Sequence, residues 1–261
     1  MLRFFRQIRQ RLLTDNPPDQ ASRAGKFSKY LLYAIGEILL VVIGILIALQ
    51  IDTWNEERKF RAQQYGLLRD LAADLDANLR ELEDGREMNS LFLNEYRSLS
   101  RAIREDLPPS PVIESLCLHL PNWHSPFFTR TAYESLKNKG LEIIENDTLK
   151  KQIVALFEKE FVFLSEDYDR TEWEFASGIK TQLLNQYIQY EEQSYQSEIN
   201  HIQFDILPVD FESMKADKRF VNMLSELIVY RSRGVYQYTK TIGFLNTVLQ
   251  SIEDELKTLQ P

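Results

Sequence analysis

Three side chains with metal-binding chemistry lie close together in the chain. Cys117, His119 and His124 fall within eight residues, in the stretch CLHLPNWH. A thiolate and two imidazoles are ligands that zinc and copper accept. The sequence places no fourth ligand beside them, and a buried cysteine behaves as a small apolar residue. The cluster therefore has two interpretations, a metal site or a short helix followed by a turn. We expect the second.

Other patterns that would indicate catalysis are missing from the sequence. It has no Gly-x-Ser-x-Gly motif, no His-Glu-x-x-His motif and no glycine-rich phosphate loop. One acidic run contains Asp167, Asp169, Glu172 and Glu174. No glycine turn shapes a calcium loop around it, so we expect a solvated helix face. These observations predict a protein that is not an enzyme and binds no cofactor.

A single carboxylate, Glu37, lies inside a long apolar stretch. Stepping by four and three residues along a helix puts Ala34, Glu37, Gly44 and Ala48 on one stripe. Small residues let two helices approach closely in lipid. A buried carboxylate there is either a proton or ion site, or a polar contact between helices. We expect the contact, with a second copy of the chain or with another membrane protein, because one helix offers a substrate no path.

The apolar stretch, LLYAIGEILLVVIGILIALQI, covers residues 31–51 and is long enough to cross the ~30 Å hydrocarbon core of a bilayer. It predicts three parts: a cytoplasmic basic tail (1–29), a transmembrane helix (30–52) and an extracytoplasmic domain (53–261). Two competing interpretations are a cleaved signal peptide, whose apolar region would be shorter, and a buried soluble helix, which we do not expect because the segment is apolar on every side.

Charge sets the expected orientation. Residues 1–29 carry seven basic and two acidic residues, a net of +5, whereas residues 52–261 carry 24 basic and 36 acidic residues, a net of −12. Basic residues beside a span stay on the cytoplasmic side. The acidic outer part argues against nucleic-acid binding.

Leu2, Phe5, Ile8 and Leu12 share one face of the tail, which predicts a basic amphipathic helix lying on the bilayer.

Beyond the span the pattern is helical, and the fold class we predict is all-α. Apolar residues at 3/4 spacing predict one long helix over residues 55–106, in which Arg86 and Asn89 interrupt the stripe. A second long helix has a seam in which Arg231 is the one polar member: Val221, Leu224, Ile228, Arg231, Val235, Tyr238, Ile242, Leu245, Leu249, Ile252, Leu256 and Leu259. The two helices predict an antiparallel helical bundle, although a coiled coil between protomers would produce the same seam.

Shorter helices are expected between these two. Ser110 caps one that ends near Leu120, and Thr131 and Glu134 have the spacing of a capping box. Gly140 ends that second helix, and Asn146 caps a third that continues towards Gln189 with a flaw near Gly178. Residues 191–215 are polar, and we expect a loop.

The segments MLRFFRQIRQRLL and KFSKYLLYAIGEILLVVIGILIALQIDTWNEERK resemble the N-terminal signature of a family of uncharacterised single-pass membrane proteins of Bacteroidetes-type bacteria. Further along, AYESLKNKGLEIIENDTLKKQIVALFE resembles the helical pattern of the same family. The resemblance implies a bacterial inner-membrane protein. It implies no activity, no cofactor and no catalytic residue.

Two functions are consistent with the sequence. The first is a membrane-anchored helical module that binds or senses something outside the inner membrane, has the bilayer and a second membrane helix as partners, and catalyses nothing. The second is a metal-binding protein or metal-dependent enzyme that uses Cys117, His119 and His124.

Overall fold

The computed structural model describes residues 23–188, 194–196, 201–203 and 209–259. The described chain is helical apart from one small ribbon. The amphipathic helix expected at Leu2, Phe5, Ile8 and Leu12 lies outside the described residues. The chain divides into two compact units, Met1–Lys59 and Phe60–Pro261.

The first helix, α1, runs from Arg23 to Arg104 and has 82 residues. It contains an 18-residue window with a mean hydropathy of 2.6, none of which is buried. By length and composition this stretch could cross a membrane. The helix expected over residues 55–106 is confirmed as the second part of α1, which ends at Arg104. Side chains from Gln64 onward alternate between buried and exposed, as on a helix with one apolar face.

Two short helices follow α1. Helix α2, Pro111–His119, is capped as expected by Ser110, whose side chain accepts a hydrogen bond from the Ile113 amide. Helix α3, Thr131–Lys139, ends at Gly140, whose φ of 97° suits a residue without a Cβ. The predicted capping box is wrong, because Arg130 occupies the N-cap position and its side chain makes no capping hydrogen bond. The Asp74 carboxylate of α1 instead accepts from the Ala132 amide at 2.8 Å.

A 3₁₀ turn at Leu141–Ile143 leads to a helical segment over residues 147–187. Asn146 caps it by accepting hydrogen bonds from the amides of Thr148 and Leu149. Three wider, π-helical stretches divide the segment, and the last begins directly after Gly178, where the sequence predicted a flaw. In order, its parts are α4 Asp147–Ala155, π Leu156–Glu160, π Phe163–Tyr168, α5 Asp169–Gly178, π Ile179–Leu184 and α6 Asn185–Tyr187.

The expected loop over residues 191–215 contains some regular structure. Strands β1, Ser194–Gln196, and β2, His201–Gln203, pair antiparallel. Helix α7, Phe211–Ala216, is capped by Asp210. The last helix, α8, runs from Lys218 to Leu259 and has 42 residues.

The second unit has two apolar cores that share α1 and α8. The first contains Leu68–Leu82 of α1 and Tyr238–Ile252 of α8, closed by α3 and the start of the 147–187 segment. The second contains Phe92–Ala102 of α1 and Phe220–Leu227 of α8, closed by α2, α7 and the end of that segment. Half of the predicted α8 seam is therefore buried within the chain itself: Leu224, Arg231, Tyr238, Ile242, Leu245 and Ile252.

Candidate functional site

The three candidate metal ligands face different neighbours. Cys117 is fully buried in the second core, with its Sγ 3.7 Å from Met214 Sδ. His119 Nδ1 lies 3.0 Å from Glu95 Oε1, and His124 Nε2 lies 3.6 Å from Glu81 Oε1. Within the described part of the chain, no group of three or more His, Cys, Asp or Glu side chains is placed to hold a metal ion.

The thiol of Cys117 is suited to packing. Burial, and to a smaller extent the nearby Glu114 carboxylate, raises its pKa from the ordinary 9.0 to about 12. Thiolate is the form that ligates metals and attacks electrophiles. Cys117 therefore behaves as an apolar residue of α2.

The most polar place in the interior lies between the two apolar cores. Here the side chains of Glu172 and Arg231 form an ion pair and are only 0% and 4% exposed. Arg231 Nη1 also donates to Asn89 Oδ1 at 3.3 Å, and Tyr168 Oη donates to the same oxygen at 2.8 Å. We call these four residues, Asn89, Tyr168, Glu172 and Arg231, the polar layer.

Aromatic rings enclose the polar layer. The Arg231 guanidinium lies 4.9 Å from the centre of the Phe92 ring and 5.8 Å from that of Tyr96. Burial raises the pKa of the Tyr168 hydroxyl, and the positive charge of Arg231 opposes that rise only in part. Tyr168 therefore stays protonated and acts as a donor to Asn89.

Two glycines make room for these side chains. A Cβ at Gly85 of α1 would overlap the ring of Tyr238, and a Cβ at Gly234 of α8 would overlap the hydroxyl of Tyr168 and the amide of Asn89. Both glycines lie at the level of the polar layer. Their lack of a side chain is thus required for close approach of the helices.

The sequence marked two members of the polar layer and misjudged a third. Asn89 interrupts the α1 stripe, and Arg231 is the polar member of the α8 seam. Glu172 was expected on a solvated face and is instead buried. A signal for this existed, because Glu172 continues a stripe of buried residues at helical spacing: Leu164, Tyr168, Ala176 and Ile179.

Residues 120–130, which connect α2 to α3, lie along α1, and we call them the strap. Polar side chains hold its backbone. Tyr96 Oη donates to the Leu120 carbonyl at 3.1 Å, and the Phe127 amide donates to Glu81 Oε1 at 3.0 Å. Asn78 both accepts from the Thr129 amide at 2.7 Å and donates to the Thr129 carbonyl at 2.9 Å.

The strap is also joined to the polar layer. Arg231 Nη2 donates to the carbonyl of Asn122 at 2.8 Å. Ser125 Oγ donates to Asp169 Oδ1 at 2.6 Å, which ties the strap to α5. Arg231 thus binds three separate segments at once: α1, α5 and the strap.

The predicted membrane contact face lies on α1. Ala34, Glu37, Gly44 and Ala48 are all exposed. A Cβ at Gly44 would meet nothing within 4 Å. Packing within this chain therefore does not require a glycine at that position.

Comparison with known proteins yields one match. Residues 37–100 match a family model described as a family of unknown function (DUF6090). No curated protein and no solved structure gives a significant match. The matched stretch covers the last part of the expected span and the α1 residues that carry the strap contacts. One quarter of the chain, all of it in α1, is therefore similar to a family to which no function has been assigned.

Proposed function

We propose that this protein is a membrane-anchored helical module that binds another protein and has no catalytic activity. The observation that carries the proposal is the apolar window of α1, with a mean hydropathy of 2.6 and no buried residue. In water such a surface would cost free energy on the order of 25 cal/mol per Å². A bilayer removes that cost.

The charge distribution supports an orientation for the anchor. Seven basic residues precede the apolar stretch, and the chain beyond it has a net charge of −12. By the positive-inside rule, the N-terminus is cytoplasmic and the larger unit lies on the outer side of a bacterial inner membrane, in the periplasm.

The architecture proposed for the outer unit is an antiparallel bundle. Residues 68–82 of α1 share a core with residues 238–252 of α8, and residues 92–102 of α1 share a core with residues 220–227 of α8. This reversed order supports two long helices that run in opposite directions. Such a bundle provides a rigid surface for a partner.

The contact face of the anchor is proposed to pair with another membrane helix, either of a second copy or of a different protein. Gly44 supports this by its position on the stripe, since a Cβ would meet nothing within 4 Å either there or at Gly36. Gly44 and Ala48 have the small-x-x-x-small spacing that permits close helix packing in lipid. Glu37 lies on the same stripe and would add a polar contact.

Two measurements test the proposal. Carbonate extraction of membranes should leave the full chain in the pellet, and its recovery in the supernatant would refute the anchor.

A membrane two-hybrid reporter should show weaker helix association for Gly44→Leu combined with Ala48→Leu. Gly36→Leu is the matched control, since the same change falls outside the stripe, and it should associate as the parent does. Equal loss in both variants would argue against a specific contact face.

A further inference from the structure

Two of the three tryptophans in the chain lie on the surface of the second unit. Trp123 of the strap is 42% exposed, and Trp173 of α5 is 54% exposed. Exposed tryptophans leave a large apolar area in water, and this residue is enriched at the energetic centres of protein interfaces. Neither side chain contributes to the two apolar cores.

The same buried arginine contacts the residue that precedes each tryptophan. Arg231 donates to the carbonyl of Asn122, the residue before Trp123, at 2.8 Å. It also pairs with Glu172, the residue before Trp173. The polar layer therefore brings together two segments that lie far apart in the sequence and orders both positions before any partner binds.

A carboxylate lies between the two tryptophans. Trp123 Nε1 donates to Ser125 Oγ at 3.2 Å, and Ser125 donates to Asp169 Oδ1 at 2.6 Å. Trp173 follows Asp169 by four residues in α5, which places it on the same helix face one turn further on. We call Trp123, Asp169 and Trp173 the tryptophan patch.

The surroundings of the patch are acidic. Glu166, Asp167 and Glu174 are exposed on the same helical segment as Asp169. Arg170 pairs with Asp167, and Glu172 is neutralised by Arg231. Three carboxylates remain, Glu166, Asp169 and Glu174, and Arg233 of α8 lies near Tyr230 together with two of them. The excess of negative charge favours a positively charged ligand.

We propose that the tryptophan patch is a docking surface for an arginine-containing basic segment of a partner protein. A guanidinium stacks on the face of an indole and is attracted by its π-electrons. Asp169 and the acidic residues around it supply complementary charge. This proposal rests on the proposed function, because it names the surface through which the module binds.

The test measures binding of a fluorescein-labelled decapeptide of alternating arginine and glycine to the full chain in detergent micelles, by anisotropy. Saturable binding is expected. Trp123→Ala and Trp173→Ala should each weaken it about two- to fivefold, the range expected for a cation–π contact at an exposed site. Both changes keep the net charge, so diffuse attraction to the acidic surface would survive them.

Three controls sharpen the result. Phe127→Ala removes an exposed aromatic ring from the same strap but outside the patch, and it should bind as the parent does. A glutamate–glycine decapeptide should not bind. Parent-like binding by both tryptophan variants, or no binding by the parent, would overturn the proposal. Carbonate extraction of the same variants reports separately on the anchor.

Discussion

Arg231 of α8 and Glu172 of α5 form an ion pair that is almost completely removed from solvent. The pair separates the two apolar cores, and it is joined to α1 through Asn89 and to the strap through Asn122. Burying two charges is costly, so such a pair contributes little net stability, although removing one partner leaves the other charge uncompensated.

Removing one partner of this pair should be strongly destabilising. Arg231→Met leaves the Glu172 carboxylate buried without a counter-charge, and we expect a loss of about 3–5 kcal/mol in the free energy of unfolding. Guanidinium denaturation of the full chain in detergent, followed by circular dichroism, measures it. The double variant Arg231→Met/Glu172→Leu should recover much of the loss. Arg233→Met, at an exposed site two residues away, should change stability by less than about 0.5 kcal/mol.

The glycines beside the polar layer should resist substitution, whereas another glycine of α8 should not. Gly234→Ala forces Tyr168 and Asn89 to move, and we expect a loss of about 1–3 kcal/mol. Gly243→Ala adds a Cβ in open space within the same helix and should stabilise it by up to about 1 kcal/mol. Thermal unfolding compares the two. Equal effects at both positions would show that the polar layer does not require a glycine.

The strap should loosen when its side-chain clamp is removed. Asn78→Ala leaves the amide and carbonyl of Thr129 without their partner, at a cost of about 1–3 kcal/mol. Hydrogen exchange measured by mass spectrometry should show faster exchange in residues 124–130. The exposed Asn94→Ala on the same helix is the control. Unchanged strap exchange in Asn78→Ala would mean that other contacts suffice to hold it.

Cys117 should react only after unfolding. Because burial raises its pKa to about 12, little thiolate exists in the folded chain at pH 8. Alkylation by iodoacetamide should be slow under native conditions and fast in denaturant. Val112→Cys with Cys117→Ala, which moves the thiol to an exposed site on the same helix, should react at once. Rapid native alkylation of Cys117 would contradict its burial.

The pH dependence of stability follows from the same shift. The unfolded thiol loses its proton near its ordinary pKa, while the folded thiol keeps it. The stabilising contribution is therefore complete below about pH 9 and falls as the pH rises towards 12. Denaturation midpoints of the parent should decline more steeply over this range than those of Cys117→Ala.

Much of the helical framework could be read from periodicity and caps. The apolar stripe of α1, the caps at Ser110 and Asn146, and the end of α3 at Gly140 all depend on residues close in sequence. Local hydrogen bonds and side-chain size determine them, so the sequence is sufficient. The apolar helix could also be predicted from the sequence, because its length and composition are properties of one continuous segment and need no tertiary partner.

The polar layer and the strap could not be predicted in this way. Asn89 and Arg231 appeared only as interruptions of apolar stripes, and Glu172 resembled its solvated acidic neighbours. Arg231 and Asn89 lie 142 residues apart, and the hydrogen bond between them exists only once the helices have packed. A charged residue on an apolar stripe indicates that another residue must pair with it. Which residue does so depends on which helix faces pack together, and only the tertiary structure decides that.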